Sequence, residues 1–255
     1  MKFLLCNDDG YLAEGIGMLA KALSDSHEVF AAAPNRQRSA ASRSMTLFDP
    51  LRVERVTLPL APDVPAYSVS GTPVDCVRLA LGNLFPKPDI VLSGINHGGN
   101  LGTDTLYSGT VAAAHEAALL GYQAIAVSCC MGHRPEHLET SALVARRVAE
   151  HLLAHPLPFG VVLNVNVPDL PLAALKGVRT APLSIVQYAL RFEEREDPYG
   201  GRYFWAPSGQ KLSDPTGQDV DERYVADGYA VCTTLQYDLT DRQALGSLAV
   251  DGLLD

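Results

Sequence analysis

Residues 89–121 read DIVLSGINHGGNLGTDTLYSGTVAAAHEAALLG, and the fold is decided there. Asp89 to Ser93 is a short apolar run of the kind found in strands buried on both faces. It opens into a glycine-rich loop, Gly94 to Gly102. Ser108, Gly109 and Thr110 then start an alanine-rich helix that Gly121 stops. Working upstream, KFLLC over 2–6 predicts a buried first strand and Glu28 to Ala33 a second. Between them lies a helix over 14–24 with Ile16, Leu19, Ala20 and Leu23 on one face. Downstream, a strand over 124–128, a helix over 138–154 and a strand over 161–165 keep the alternation going. That pattern specifies an α/β chain: a three-layer, Rossmann-like fold around a mostly parallel sheet.

Other segments fit around this frame. Residues 51–58 and 66–70 alternate like an exposed β-ribbon, and Thr72-Pro73 opens a helix through about Leu84. Past residue 180 the texture changes, with charged, glycine and aromatic clusters in turn. The division expected is a Rossmann-like catalytic core over 1–180 and a C-terminal β-hairpin extension, with returning strand and tail, over 181–255. The strand is expected from Gly228 to Leu235 and a short helix from Thr240. A lone hairpin carrying Ile185, Val186, Tyr188, Leu190, Phe192, Tyr203, Phe204 and Trp205 is marginal in water and an association hazard. An intersubunit arm follows as the expectation.

Composition narrows the function. Of 255 residues, 20 are Lys or Arg and 29 Asp or Glu, a formal charge of −9, so no basic footprint for a nucleic-acid polymer exists. No run approaches the roughly 18 to 20 apolar residues of a membrane span. MKFLLC imitates a signal peptide only until Asn7-Asp8-Asp9 interrupts it. Five cysteines without a CxxC spacing read as buried free thiols in a reducing, cytoplasmic setting.

In doubly wound sheets ligands bind beyond the carboxyl ends of the strands. Asn7 to Gly10, the loop carrying Ser39, and Ser93 to Thr110 all fall there. Adjacent carboxylates, Asp8 and Asp9, at a buried strand end resist desolvation unless a cation compensates. Asp-Gly is also ordinary turn chemistry, and the local sequence leaves both readings open. With Ser39 and Asn96 at neighbouring strand ends, an all-oxygen set suits Mg²⁺ or Mn²⁺ better than zinc. The helix start at Ser108 and Thr110 offers hydroxyls and unpaired N–H groups to a phosphate; an N-capped helix behind a flexible loop is the simpler alternative. Neither a P-loop nor GxGxxG occurs. His27, His133, His137, His151 and His155 read as solvated and His115 as a packed or surface residue. His97, inside the glycine loop, is the one histidine placed to meet substrate. Arg36, Arg38 and Arg43 form a basic loop, solvated or facing an anionic substrate.

Several blocks, taken in order, carry a resemblance: LLCNDDGYLAEGI, SAASRSMT from Ser39, VSGTPVDCVRLAL, the 89–121 stretch, NVNVP and DGYAVCTTLQYDLT. The chain is similar to the SurE survival-protein nucleotidases, from residue 2 to about 241. The resemblance implies a metal-dependent, acid-phosphatase-like 5′/3′-nucleotidase acting on nucleoside monophosphates, with short polyphosphate as a side activity. By position it implies Asp8, Asp9, Ser39 and Asn96 as metal ligands, with Asp8 and Asp9 catalytic. Asn100, Ser108, Gly109 and Thr110 would line the phosphate, and the assembly would be a homodimer or homotetramer with swapped C-terminal elements. Glu14 stands where the family usually has proline, Ala40 where glycine is common, and His97 and Gly99 where other residues are frequent. Two alternatives are a non-catalytic nucleotide sensor and an aspartyl-phosphate phosphatase; the latter wants a DxD spacing and a partnering Lys, which the Asp8-Asp9 turn does not offer.

Overall fold

The computed structural model describes residues 1–130, 134–188, 192–205, 211–213 and 217–248. The first strand, β1 (Lys2–Cys6), leads through α1 (Glu14–Ser24) to β2 (Glu28–Pro34). Then come the paired strands β3 (Val53–Leu58) and β4 (Ala61–Val69), and α2 (Pro73–Leu79), which continues as a π-helical turn over Ala80–Leu84. Next are β5 (Ile90–His97), α3 (Gly109–Leu119), β6 (Gln123–Cys130), α4 (Leu138–Ala154) and β7 (Val161–Pro168). The remainder comprises β8 (Val178–Thr180), β9 (Gln187–Tyr188), β10 (Glu193–Glu196), β11 (Arg202–Trp205), β12 (Lys211–Ser213), α5 (Asp221–Ala226), β13 (Ala230–Gln236) and α6 (Arg242–Ser247).

Among the described residues nine strands form one sheet in the order β3-β4-β2-β1-β5-β6-β7-β13-β8. Only β3 against β4 and β13 against β7 run antiparallel. The pleat of β1 splits its side chains between two cores. Phe3 and Leu5 pack with Ile16, Leu19 and Leu23 of α1 and Ala145 and Ala149 of α4. Leu4 and Cys6 pack with Val77 of α2 and Val111, Ala114 and Ala118 of α3. Helix α3 is buried nearly all round, and its alanines let it lie close on the sheet. From β1 the chain winds outward to β2 and β4, then returns to β5 on the other side of β1. That reversal opens a crevice at the carboxyl ends of β1 and β5, where a doubly wound sheet binds its ligand.

Two expectations change. The residues read as an exposed ribbon are the edge of the main sheet, with β4 paired to β2 and Val64, Ala66 and Val69 buried. Strand β5 does not stop at Ser93: after a register shift, Asn96 and His97 pair with Ser128 and Cys129, so half the glycine loop is strand. The extension carries the expected antiparallel hairpin pairing. Strands β10 and β11 make a short ribbon, β9 and β12 a second, and α5 follows. Its root is fastened to the sheet-top loop. Buried Asp221 accepts from the Gly102 N–H at 2.7 Å and the Ser184 N–H at 2.8 Å. Thr103 Oγ1 donates to the Val186 carbonyl, and the Tyr188 hydroxyl donates to Asp104. Leu190 and His133 lie outside the described residues.

One buried carboxylate organises the loop after β2. Asp75, in the first turn of α2, accepts from the Thr72 N–H at 2.8 Å while Thr72 Oγ1 accepts from the Asp75 N–H, a capping box. The same carboxylate takes the N–H of Thr46 at 3.0 Å and its hydroxyl at 2.6 Å. Asp75→Ala is expected to cost about 2–3 kcal/mol, since bonds to charged groups exceed neutral ones. It should also open the 35–50 loop to proteolysis. A variant that melts like wild type and resists protease would refute this anchoring.

Candidate active site

The turn after β1 is built by Asn7, whose Nδ2 donates to the Gly10 carbonyl at 2.9 Å while its Oδ1 accepts from the Gly10 N–H. Gly10 sits at φ +94°, open to glycine at little cost. The Asp-Gly turn and the ligand site are thus one structure: the turn aims the two carboxylates. Asp8 is 4% exposed and accepts a hydrogen bond from Thr110 Oγ1 at 2.5 Å. The start of α3 lies against it so closely that a Cβ on Gly109 would stand 2.9 Å from the Asp8 Cβ and 3.0 Å from Oδ2. Burial pushes the Asp8 carboxyl up to about 6, and the neighbouring Asp9 charge adds to the effect against the Thr110 bond.

Asp9 is half-buried; its Oδ2 accepts from the His97 N–H at 3.2 Å. Gln37 Nε2 lies 3.4 Å from Asp9 Oδ1 and donates to Ser39 Oγ at 2.9 Å, so one amide spans Asp9 and Ser39. Arg38 holds this loop against the turn: its N–H donates to the Asp8 carbonyl and its guanidinium to the Ser70 carbonyl, each at 2.7 Å. Asn96 spends its Nδ2 on the Gly98 carbonyl, which leaves its Oδ1 uncommitted. No Lys or Arg pairs with either carboxylate among the described residues. Asp8, Asp9, the Ser39 hydroxyl and the Asn96 amide oxygen are by their chemistry a donor set that fits a hard divalent cation. Among the described residues no group of three or more His, Cys, Asp or Glu is placed to hold a metal ion, so a cation at Asp8 and Asp9 would need the Ser39 and Asn96 oxygens to complete its set.

The phosphate side is organised by α3. Ser108 caps it, accepting from the Val111 N–H at 3.1 Å. The Thr110 hydroxyl is committed to Asp8, so Thr110 joins the two halves of the site. Asn100 is buried, held by Asn164, Asn166 and Ser128. Sequence reasoning missed Gln37, Asn164 and Asn166. Two asparagines at alternate positions of a buried strand, in NVNVP, were the available signal.

Of the histidines, His27 proves less solvated than expected: its ring packs on Phe3, and its Nε2 lies 3.3 Å from Glu150 Oε1. His115 is buried away from the carboxylates, among residues that line a cavity of about 430 Å³ with Arg43. Burial, then the Arg43 charge, push it down to about 4 and keep it neutral. His97 meets the site through its backbone, its Nε2 being buried without a partner. The departures from the family pattern also have structural readings. Ala40 holds φ +57°, a left-handed conformation natural to glycine and costly for alanine by about 1–2 kcal/mol. Glu14 opens α1, where proline is favoured for its fixed φ and an acidic side chain for the helix dipole. A Cβ at Gly99 would meet Cys130 Sγ at 2.8 Å.

Raising Asp8 from 3.8 to about 6 corresponds to about 3 kcal/mol, with each tenfold change in proton affinity worth about 1.4. The folded chain holds this proton more tightly than the unfolded one. Stability from Asp8 is therefore full below about pH 4 and lost as pH rises towards 6. His115, shifted the other way, gains over the same window and flattens the wild-type profile. Comparison with Asp8→Asn in chelator isolates the carboxylate. The variant is expected to melt several degrees higher near neutral pH, its advantage vanishing in acid; an equal or lower Tm at neutral pH overturns the desolvation argument.

With this geometry in place, comparison with known proteins gives a consistent result. Residues 3–189 match the family model described as Survival protein SurE. Over 250 residues the chain is 44% identical to the 5′-nucleotidase SurE of Vibrio vulnificus, covering 97% of this chain and 94% of that one. It is equally identical to the 5′-nucleotidase SurE of Vibrio cholerae serotype O1, covering 97% and 96%. The crystal structure of the SurE protein from Aquifex aeolicus superposes with a TM-score of 0.83 at 34% identity, over 97% of this chain and 98% of that one. A match of this extent, carried through fold and sequence alike, places the chain in the SurE family.

Proposed function

We propose that this chain hydrolyses nucleoside 5′-monophosphates to nucleoside and phosphate, extending to 3′-monophosphates and short polyphosphate. The observation that carries the reading is the desolvated Asp8, set beside Asp9 and against the N-terminus of α3, with no Lys or Arg side chain paired to it among the described residues. The names of the relatives support it. Asp8, Asp9, Ser39 and Asn96 would hold one Mg²⁺ or Mn²⁺, which supplies positive charge to phosphate oxygens and makes water a better nucleophile at neutral pH. The backbone N–H groups that open α3 take the other phosphoryl oxygens, where the helix dipole favours anions. Ser108, having accepted from Val111, still has its own hydroxyl proton to give. Thr110 fixes the Asp8 carboxylate. Attack by water on phosphorus breaks the P–O ester bond, and the proton count closes when the leaving alkoxide becomes the nucleoside hydroxyl. The five free thiols, buried or half-buried, favour a reducing compartment, and no described helix is long and apolar enough to cross a membrane.

Phosphate release from a panel of nucleoside 5′- and 3′-monophosphates tests the reading directly. Activity is expected to vanish in EDTA, return with Mg²⁺ or Mn²⁺, and fall about a hundredfold or more in Asp9→Asn. Ser108→Ala is expected to lower kcat beyond what loss of a helix cap, about 0.5–2 kcal/mol of stability, explains. Nucleotide binding without turnover would make the chain a sensor. Full activity in EDTA would remove the metal.

We infer further that the extension joins subunits into a dimer or tetramer. Its root is well packed, with Val186 buried and the Tyr188 hydroxyl bonded, but Phe192 (60%), Phe204 (55%) and Trp205 (59%) stand exposed on and beside the β10–β11 ribbon. A ribbon of two strands does not keep such groups in water for its own stability. Light scattering is expected to give at least a dimer for the intact protein at micromolar concentration. Shortening the ribbon to a tight turn should yield a smaller species, and a monomeric intact protein would end the idea.

A further inference from the structure

Asn100 lies on the loop that joins Asn96 to Ser108, and its backbone N–H, its carbonyl and its side-chain Nδ2 bond to the strands beneath. Its N–H donates to Asn166 Oδ1 at 2.8 Å. Its carbonyl accepts from Asn164 Nδ2 at 2.8 Å and Asn166 Nδ2 at 3.0 Å. Its own Nδ2 donates to Ser128 Oγ at 2.8 Å. Asn164, Asn166 and Ser128 are fully buried. The asparagines share a face of β7 as alternate residues, and Ser128 of β6 pairs in register with Asn166.

A sheet centre gains nothing from these side chains for its own sake, because apolar residues would spare the desolvation. Asn164 even leaves its Oδ1 buried without a partner, so only its donor is in use. What the cluster does hold is the loop. Gly98 N–H reaches the Cys129 carbonyl at 3.0 Å on one side of Asn100, and Gly102 N–H reaches Asp221 on the other.

We propose that Asn164, Asn166 and Ser128 are positioning residues: they clamp Asn100 and so set the spacing between Asn96 with Asp9 and the phosphate-facing start of α3. The inference rests on the hydrolytic reading above and reassigns Asn100, whose Nδ2 donates to Ser128, from phosphate contact to the clamp. No substrate atom meets Asn164 or Asn166; their effect passes through the loop.

The test uses the metal-loaded full chain and the single variants Asn166→Ala, Ser128→Ala and Asn100→Ala, with the Asn100→Ala/Asn166→Ala double. A loop displaced by about an ångström costs up to about a hundredfold in turnover. The expected result is a fall in kcat of about tenfold or more for Asn166→Ala, with KM changed less than about threefold. The double variant should be no worse than the poorer single, because both break one device. Losses that multiply would show that Asn100 acts on phosphate independently and overturn the clamp, as would an unchanged kcat in Asn166→Ala. Should Asn166→Ala fail to fold, Ser128→Ala, which deletes a single oxygen, carries the same comparison. Hydrogen exchange gives a reading free of activity: the Asn100 amide should lose protection in Asn166→Ala while β1 and β2 keep theirs. If wild type turns over no nucleotide, the hydrolytic reading fails. Retained protection of Asn100 refutes the clamp itself.

Discussion

Putting a carboxylate at the buried end of a central strand imposes a cost that its neighbours are arranged to contain. Asp8 has Thr110 donating to one oxygen, and Gly109 closes against it with Pro73 beside that glycine. Each is placed by an element with its own reason to be there: Pro73 opens α2 and Gly109 opens α3. The N-terminus of α3 therefore meets one acidic side chain, and its dipole partly replaces the water that side chain has lost. The required closeness explains why glycine stands at 109; a methyl group would force α3 away from the strand end.

The second half of the site is brought in by a loop rather than by the sheet. The 35–50 segment is tied at Arg38 to Asp8 and Ser70, at Ser42 to Leu106 and Tyr107, and at Thr46 to Asp75. Ala40 and Ser42 both hold left-handed backbone, φ +57° and +49°. A segment with so little apolar cargo reaches one conformation because its polar groups meet fixed partners at four places. Ser39 inherits its position from those ties.

Much of this was legible in the sequence, and the failures have physical causes. Helices over Glu14–Ser24 and Leu138–Ala154 follow from periodicity because one face is buried against the sheet. The polar clusters at the ends of β1, β2 and β5 told where the crevice would be. Glycine and asparagine hid the end of β5, since Asn96 and His97 take strand geometry from β6 and not from their own preference. The ribbon reading of 51–70 failed similarly: β4 is recruited by β2, a partner distant in sequence. Asn164 and Asn166 escaped notice because a buried hydrogen-bonded amide and a solvated one look alike until the partner is known. Gln37 has no distinguishing pattern at all; its role comes from lying between Asp9 and Ser39.

Asp221 grips Gly102 with one oxygen and Ser184 with the other, so the chain leaves and re-enters the molecule at a single side chain. Topologically, the excursion between 184 and 221 is a loop with a fixed neck. Closing a longer loop on the same neck costs only about 0.6 kcal/mol for each doubling of its length. Length and sequence beyond the neck are thereby released from the constraints of the crevice. A ribbon beyond the neck can lengthen or shorten while the Gly102 end of the sheet-top loop keeps its anchor.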